Sequence, residues 1–372
     1  KIKMYRSNPG FTSIVRPLAS SSQTPIVRPL VSGGLQPPLE VGRGVATPGH
    51  RSSAQKCIAL IAAAAARQQQ ESRGTMAGKV VGALVIAVVA VSTLFGLSRL
   101  LNFSPVAAIV ALGLQWGFFF LHGWPQRSEK LYDASGSLTH LLLVLSALVA
   151  DPYRSPRQLI TPVLSVVWCA RLGTFLFNRI AADSKDDRFT TIKEDFWKFS
   201  IAWNFQAMWV FLLQLPILIV LNTAQQPPIT VLDLAGWTLW FTGFLVQSVA
   251  DAQKFSFRSQ KENKGRFITS GLWRYSRHPN YFGEICMWVG LALTATSCMN
   301  GNKFNLLGWL SPAFDAFLLL FVSGVPLLEK AGEEKWGQEP LYRHYMKNTS
   351  CIVPWFPATE LPGDATEAKR TQ

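Results

Sequence analysis

The hydrophobic positions of this 372-residue chain fall into eight runs separated by short polar connections. They cover about 80–100, 104–123, 136–150, 158–177, 203–222, 229–250, 284–300 and 305–327. Crossing the hydrocarbon core of a bilayer takes roughly 17 to 25 helical residues. A spanning segment must also satisfy its own backbone hydrogen bonds, so runs of this length predict α-helices. The run 136–150 is the shortest and predicts a re-entrant or tilted helix. The pattern predicts an all-α, polytopic transmembrane helical bundle of about seven to eight spans.

Composition supports this class. The chain is 49% hydrophobic and only 16% charged, against about a quarter charged in ordinary soluble domains. Residues 1–75 differ from the rest. They hold ten Lys or Arg against Glu40 and Glu71, with frequent Ser and Pro and no long periodic run. That composition predicts a disordered extension or an organellar transit peptide. An alternative is that translation starts at Met76. The membrane domain is expected over 76–357, with its cofactor-binding half at 251–357, and 358–372 is expected to be a disordered tail.

Charge orients the bundle. The segment 251–283 carries seven Lys or Arg against Asp251 and Glu262, which places it in the cytoplasm by the positive-inside rule. Counting spans puts the tail from Glu329, the loop Asp183 to Lys198 and the loop Trp124 to Asp133 on the same side. The chemically rich segments therefore collect on one face.

The same segment carries the candidate chemistry. Asp251, Lys254, Arg258 and Lys261 are spaced to share one helix face. Three cations and a carboxylate suit a ligand bearing phosphates and a ribose. A collar of snorkelling cations facing lipid headgroups would show the same spacing. His278-Pro279 marks a helix start, because proline fits the first helical turn. Arg274, Arg277, His278 and Asn280 gather there, beside unpaired N–H groups suited to anions. Asn280 and Glu284 lie one above the other on the first turn.

Polar residues inside the apolar runs are His140, Arg171, Asn204, Gln206, Gln214 and Gln247, with Asn178 near a run's end. For the amides an interhelical hydrogen bond is the expected role. A mid-span guanidinium needs a partner, and Asp133, Asp186 and Asp187 are the nearest candidates for Arg171. The five cysteines and five histidines show no metal-ligand spacing, so no metal is expected. Walker, Gly-x-Gly-x-x-Gly and Gly-x-Ser-x-Gly motifs are absent. The basic loop is too short and too close to the membrane to predict nucleic-acid binding.

The stretch from Gly271 to Glu284 resembles the signature of the steroid 5-alpha-reductase and sterol-reductase superfamily, in particular its DUF1295 branch. Glu329, Glu333, Glu334, Leu341-Tyr342, Tyr345 and Pro354 extend the resemblance, and so do Arg171 and Arg179 after Trp168. It covers roughly residues 125 to 357. It implies a membrane oxidoreductase that uses NADPH to reduce a carbon–carbon double bond in a lipid-like substrate. Asp251, Lys254 and Arg258 would hold the adenosine ribose and phosphates. Trp273, Arg277, His278, Asn280 and Tyr281 would line the diphosphate and nicotinamide side. Glu284, Glu333, Tyr342 and Tyr345 would close the pocket. Tyr132, Asp133, Arg171 and Tyr281 are the candidate catalytic donors. The family default location is the endoplasmic reticulum; a transit peptide would mean a plastid or mitochondrial membrane. Isoprenylcysteine and phospholipid methyltransferases share the Arg-His-Pro-x-Tyr-x-Gly core, so a methyltransferase using S-adenosylmethionine is the alternative.

Overall fold

The computed structural model describes the backbone of residues 53–149, 154–183, 189–299 and 302–356, and their side chains except over 53–74 and 175–183. The expected extension therefore lies largely outside the described residues, as does the tail 358–372. The chain divides after Ala63, and the unit Ala64–Gln372 holds everything described below except the first turns of α1.

All regular structure among the described residues is helical. In order the helices are α1 (Ser53–Leu100), α2 (Val106–Phe118), the short α3 (Trp124–Gln126), α4 (Tyr132–Val149), α5 (Pro156–Asp183) and α6 (Phe196–Asn222). They are followed by α7 (Val231–Ser259), α8 (Pro279–Ser297), α9 (Leu310–Phe317), α10 (Val325–Trp336) and α11 (Pro340–Asn348). One-turn π segments, Phe119–Gly123 and Leu318–Val322, carry α2 into α3 and extend α9. Every apolar run in the sequence corresponds to helix. The run 136–150 forms a full helix, α4.

Among the described residues, five helical stretches are long and apolar enough to cross a membrane, against the seven to eight spans expected: Thr75–Leu100, Val106–Gln126, Tyr132–Val149, Phe196–Asn222 and Lys303–Trp336. Exposed Val88, Phe241 and Phe321 line the outside of the bundle, as a lipid-facing surface requires. The protein is a multi-pass membrane protein. Helices α5, α7 and α8 dilute their apolar residues with polar ones, and these polar residues build the interior described below.

The core forms around α6, which is apolar on every side and almost wholly buried. It packs against α2, α4, α5, α8 and α9. Its amides tie the bundle together as expected. Asn204 accepts from Trp116 at 3.1 Å, Gln206 donates to the Tyr132 carbonyl at 2.5 Å, and Gln214 accepts from Ser165 at 3.0 Å.

Helices α7 and α8 make the closest pair, because glycines meet at two levels seven residues apart. A Cβ on Gly236 would lie 2.5 Å from the Gly290 carbonyl oxygen, and one on Gly243 2.5 Å from that of Gly283. Only hydrogen at these positions lets the two backbones touch. The far end of the pair is locked by Arg157 and Asp233, both 0% exposed. Arg157 Nε and Nη2 donate to the two Asp233 oxygens at 2.6 and 2.7 Å. Its remaining donors reach Gln226 and the carbonyls of Pro227 and Pro228. Ser297 donates to Asp233 at 2.6 Å, and Asp233 also closes the capping box of α7 with Thr230. One buried, fully hydrogen-bonded ion pair thus pins α5, α7 and α8.

Candidate functional site

The site forms where α7 emerges from the apolar body and the chain folds back to begin α8. Gln247, Asp251, Lys254 and Arg258 follow one another at four-, three- and four-residue spacing on α7, so they share a face. Lys261 does not join them. The helix ends at Ser259, and Lys261 falls in a separate turn, Lys261–Asn263. The return begins at Gly271, whose φ of 61° suits glycine. Gln253 accepts from the Leu272 amide at 2.9 Å and Trp273 donates to the Ala250 carbonyl at 3.0 Å, pressing the turn onto α7. His278 then precedes Pro279 at the first turn of α8, as its sequence predicts.

A chain of polar side chains crosses the inner end of this site. Glu284 accepts from Gln247 at 2.9 Å, and Gln247 accepts from Arg171 at 2.6 Å. Arg171 forms a short ion pair with one Asp251 oxygen, while Asn280 donates to the other at 3.1 Å. The Arg171 guanidinium also lies 5.8 Å from the Phe244 ring centroid. The sequence offered Asp133, Asp186 and Asp187 as the candidate partners of Arg171. The partner is Asp251 instead, because α5 and α7 pack side by side and place a carboxylate and an amide one turn apart before the guanidinium. Asp186 and Asp187 lie outside the described residues.

Toward the surface the network opens into a cleft of about 130 Å³. Lys254, Arg258, Arg266 and Arg277 line it, against the single carboxylate Glu329. Lys254 Nζ sits 4.5 Å from the Trp273 ring centroid. Burial, and then the neighbouring Arg258, push the Lys254 amine down to about 8. An anion bound in the cleft would favour its charged form.

The C-terminal segment straps the cleft. Arg277 Nε and His278 Nε2 both reach the same Glu329 oxygen, at 3.0 and 3.1 Å. Arg277 also donates to the carbonyls of Met346 and Thr349, at 2.5 and 3.2 Å. The backbone amides of Arg277 and His278 donate to the Ser350 and Cys351 carbonyls. Tyr345 donates its hydroxyl to the Trp273 carbonyl at 2.7 Å, and burial raises the Tyr342 and Tyr345 phenols. Burial lowers the His278 imidazole, opposed by its bond to Glu329. The ring stacks on Tyr281, centroids 5.4 Å apart. Donor atoms of His278, Glu329 and Cys351 lie within 4.8 Å of one another. Arg277 already occupies the shared Glu329 oxygen, however, and its charge opposes a metal cation there.

The structure thus brings most of the sequence-predicted residues together. Asp251, Asn280 and Glu284 form the network with Arg171. Lys254, Arg258, Trp273, Arg277, His278, Tyr342 and Tyr345 line the cleft. Glu333 is exposed and outside the cleft lining, one helical turn beyond Glu329, which does the work assigned to it. Glu329 and Arg266 were not singled out as cofactor-binding groups, although Glu329 stood in the family pattern. Tyr132 lies elsewhere: its hydroxyl donates to the Ala202 carbonyl at 2.9 Å and its ring packs on Phe189 and Trp203. Asp133 borders a separate cavity between α4, α5 and α6.

Two buried atoms of the site lack hydrogen-bond partners, Asn280 Oδ1 and His278 Nδ1. Buried polar atoms are seldom left so, and a ligand would satisfy them. Four cations on one cleft fit a cofactor with several phosphates, as the resemblance implied.

Comparison with known proteins bears on this arrangement. An uncharacterized protein of Schizosaccharomyces pombe is 24% identical over 54% of this chain and 64% of its own length. Human 3-oxo-5-alpha-steroid 4-dehydrogenase 1 is 29% identical over 33% of this chain, and its Bos taurus counterpart 30% over the same share. Each match spans 41% of that enzyme. No solved structure matches the chain. The family model described as "Protein of unknown function (DUF1295)" matches residues 118–349, from the end of α2 to the strap, so the chain belongs to the DUF1295 family.

Proposed function

We propose that this protein is an integral membrane oxidoreductase that uses NADPH to reduce a carbon–carbon double bond in a lipid-like substrate. The observation that carries this reading is the cleft shared by Lys254, Arg258, Arg266 and Arg277 beside Trp273. A lipid-facing collar would leave those cations splayed in the headgroup region; here they line one concavity. Lys254, Arg258 and Arg266 would hold phosphates. Asn280, with its unpaired Oδ1, and Glu284 would receive the nicotinamide side. Bound there, NADPH supplies hydride to an activated double bond.

The chain's own part is positioning. Both Asp251 oxygens are engaged, by Arg171 and Asn280, so Asp251 first orients Asn280 and has only spare lone pairs for a ribose hydroxyl. The Arg277–Glu329–His278 strap holds α11 over the cleft and limits water. Tyr281, held against His278, is the proton donor best placed in the site. Tyr132 already donates its hydroxyl proton to a backbone carbonyl. The substrate enters from the bilayer between helices of the first half, with the cofactor cleft facing the cytoplasm.

The alternative is a methyltransferase using S-adenosylmethionine, a cofactor without phosphates that has little use for four cations. The test is thermal stabilisation of detergent-solubilised protein by NADPH, NADH and S-adenosylmethionine side by side, since a ligand of the native state must raise its stability. Stabilisation by NADPH that is lost in Arg258→Ala is the expected result. Stabilisation by S-adenosylmethionine alone would establish the methyltransferase instead. A non-catalytic scaffold would show neither, and Asn280→Ala with Tyr281→Ala would leave its role intact.

A further inference from the structure

A second polar cavity, of about 40 Å³, lies inside the apolar body between α4, α5 and α6. Asp133, Ser137, His140, Trp168, Gln206 and Trp209 border it. His140 is 2% exposed, and neither of its ring nitrogens has a hydrogen-bond partner. The ring is held edge-on between two indoles, with centroids 5.2 Å from Trp168 and 5.3 Å from Trp209. These contacts fix the imidazole without engaging either nitrogen. The indole nitrogen of Trp168, a side chain 1% exposed, is also unpaired.

Three unpaired polar atoms around one small cavity need an explanation. Burying such an atom without a partner is costly. The neighbouring groups are committed elsewhere. Gln206 donates to the Tyr132 carbonyl and to Ser135, and Ser137 donates to the Asp133 carbonyl. The space admits one oxygen-bearing tip of a ligand or a few waters. Among the described residues no lysine or arginine borders the cavity, and a carboxylate, Asp133, does. An anionic head would be repelled there, whereas an uncharged oxygen would find an indole donor and an imidazole able both to donate and to accept. Trp168 precedes Arg171 by one helical turn on α5 and stacks edge-on to Trp288 of α8 at 4.8 Å. Trp168 and Arg171 are therefore separated by roughly 5 Å along the axis of α5.

We infer that this cavity receives the head of the substrate, an uncharged carbonyl or hydroxyl oxygen held by His140 and the Trp168 indole N–H. The inference rests on the oxidoreductase reading only in calling that ligand the substrate. It narrows the substrate class to neutral oxygenated lipids and excludes phospholipids and carboxylated ones.

The experiment measures thermal stabilisation of the full chain in detergent by four probes of one skeleton: 4-cholesten-3-one, cholesterol, cholestane and cholesteryl sulfate. The ketone and the alcohol are expected to stabilise it, the hydrocarbon and the sulfate not. His140→Phe should weaken ketone binding about tenfold, the value of one lost buried hydrogen bond to an uncharged partner. His140→Gln, which keeps a donor and an acceptor, should retain most of the binding. Trp168→Phe provides an independent variant if His140→Phe does not fold. NADPH stabilisation should survive His140→Phe and disappear in Arg258→Ala, so failure of the cofactor reading registers separately from failure here. Equal stabilisation by ketone and cholestane, stabilisation by none of the four, or ketone binding unchanged in His140→Phe and Trp168→Phe would overturn the inference and leave trapped water as the occupant.

Discussion

Arg171 of α5 and Asp251 of α7, eighty positions apart in sequence, form an ion pair 18% and 13% exposed, beside the carbonyl and amide of Gln247. The pair joins the apolar half of the protein to the cofactor half, and Asn280 hangs on its second carboxylate oxygen. Breaking it leaves one charge partly buried. Asp251→Asn should cost about 2 kcal/mol, below the range for a fully buried pair because some water reaches it. NADPH stabilisation should fall with it. The double variant Arg171→Gln, Asp251→Asn should recover part of the stability, as coupling in a mutant cycle requires. Thermal melts of the four proteins decide this; additive losses would show that the pair does not act as a unit.

Lys254 should make binding of the proposed NADPH dependent on pH. Its folded value, about 8, lies below the ordinary lysine value of 10.5. Between these two values the unfolded chain binds more protons, so this group raises stability as pH climbs from about 8 toward 10.5. Affinity for a phosphate-bearing ligand moves the other way, because the anion needs the charged amine. NADPH affinity should weaken through pH 8, and Lys254→Arg should flatten that titration, since a guanidinium stays charged. Binding isotherms between pH 6.5 and 9.5 test both halves.

The pair at the far end of the bundle should behave as structure alone. Arg157→Leu leaves the buried Asp233 charge without its cation and should cost about 3–5 kcal/mol. Arg157→Lys should restore little, because lysine cannot supply the fork that reaches both Asp233 oxygens. The readout is the melting temperature. Where protein survives, NADPH affinity should match the parent.

Contact between α7 and α8 depends on having no side chain at Gly243. A Cβ there would stand 2.5 Å from the Gly283 carbonyl. Gly243→Ala should spread the helices, lower the melting temperature and weaken NADPH binding by displacing Asp251 from Asn280. Gly78→Ala, at a position with nothing within 4 Å of the added carbon, serves as the control and should be neutral.

Tyr132→Phe separates a structural hydroxyl from a catalytic one. The bond to the Ala202 carbonyl is lost, at about 1 kcal/mol. Turnover of an enone with NADPH should persist in this variant and fall steeply in Tyr281→Phe. The reverse pattern would move the proton donor into the first half of the bundle.

Much of this was legible before folding. Runs of apolar residues at spanning length announced the helices, since backbone groups in lipid have no other partner. The His278-Pro279 start of α8 and the face holding Asp251, Lys254 and Arg258 followed from local geometry. Lys261 was misplaced because spacing assumes that a helix continues, and α7 stops at Ser259. The partner of Arg171 was misjudged because the sequence does not show that this side of α5 meets α7.

What the order of residues settled was the class of fold and the membrane setting, and it singled out the stretch proposed to hold the cofactor, all properties of one segment at a time. Only packing settled which segments meet. The Arg171–Asp251 pair, the Glu329 strap over Arg277 and His278, the glycine contact of α7 with α8 and the cavity at His140 each depend on the rotation of one helix against another. That rotation is set by side chains distant in sequence, and helical periodicity carries no information about which neighbour a face will find.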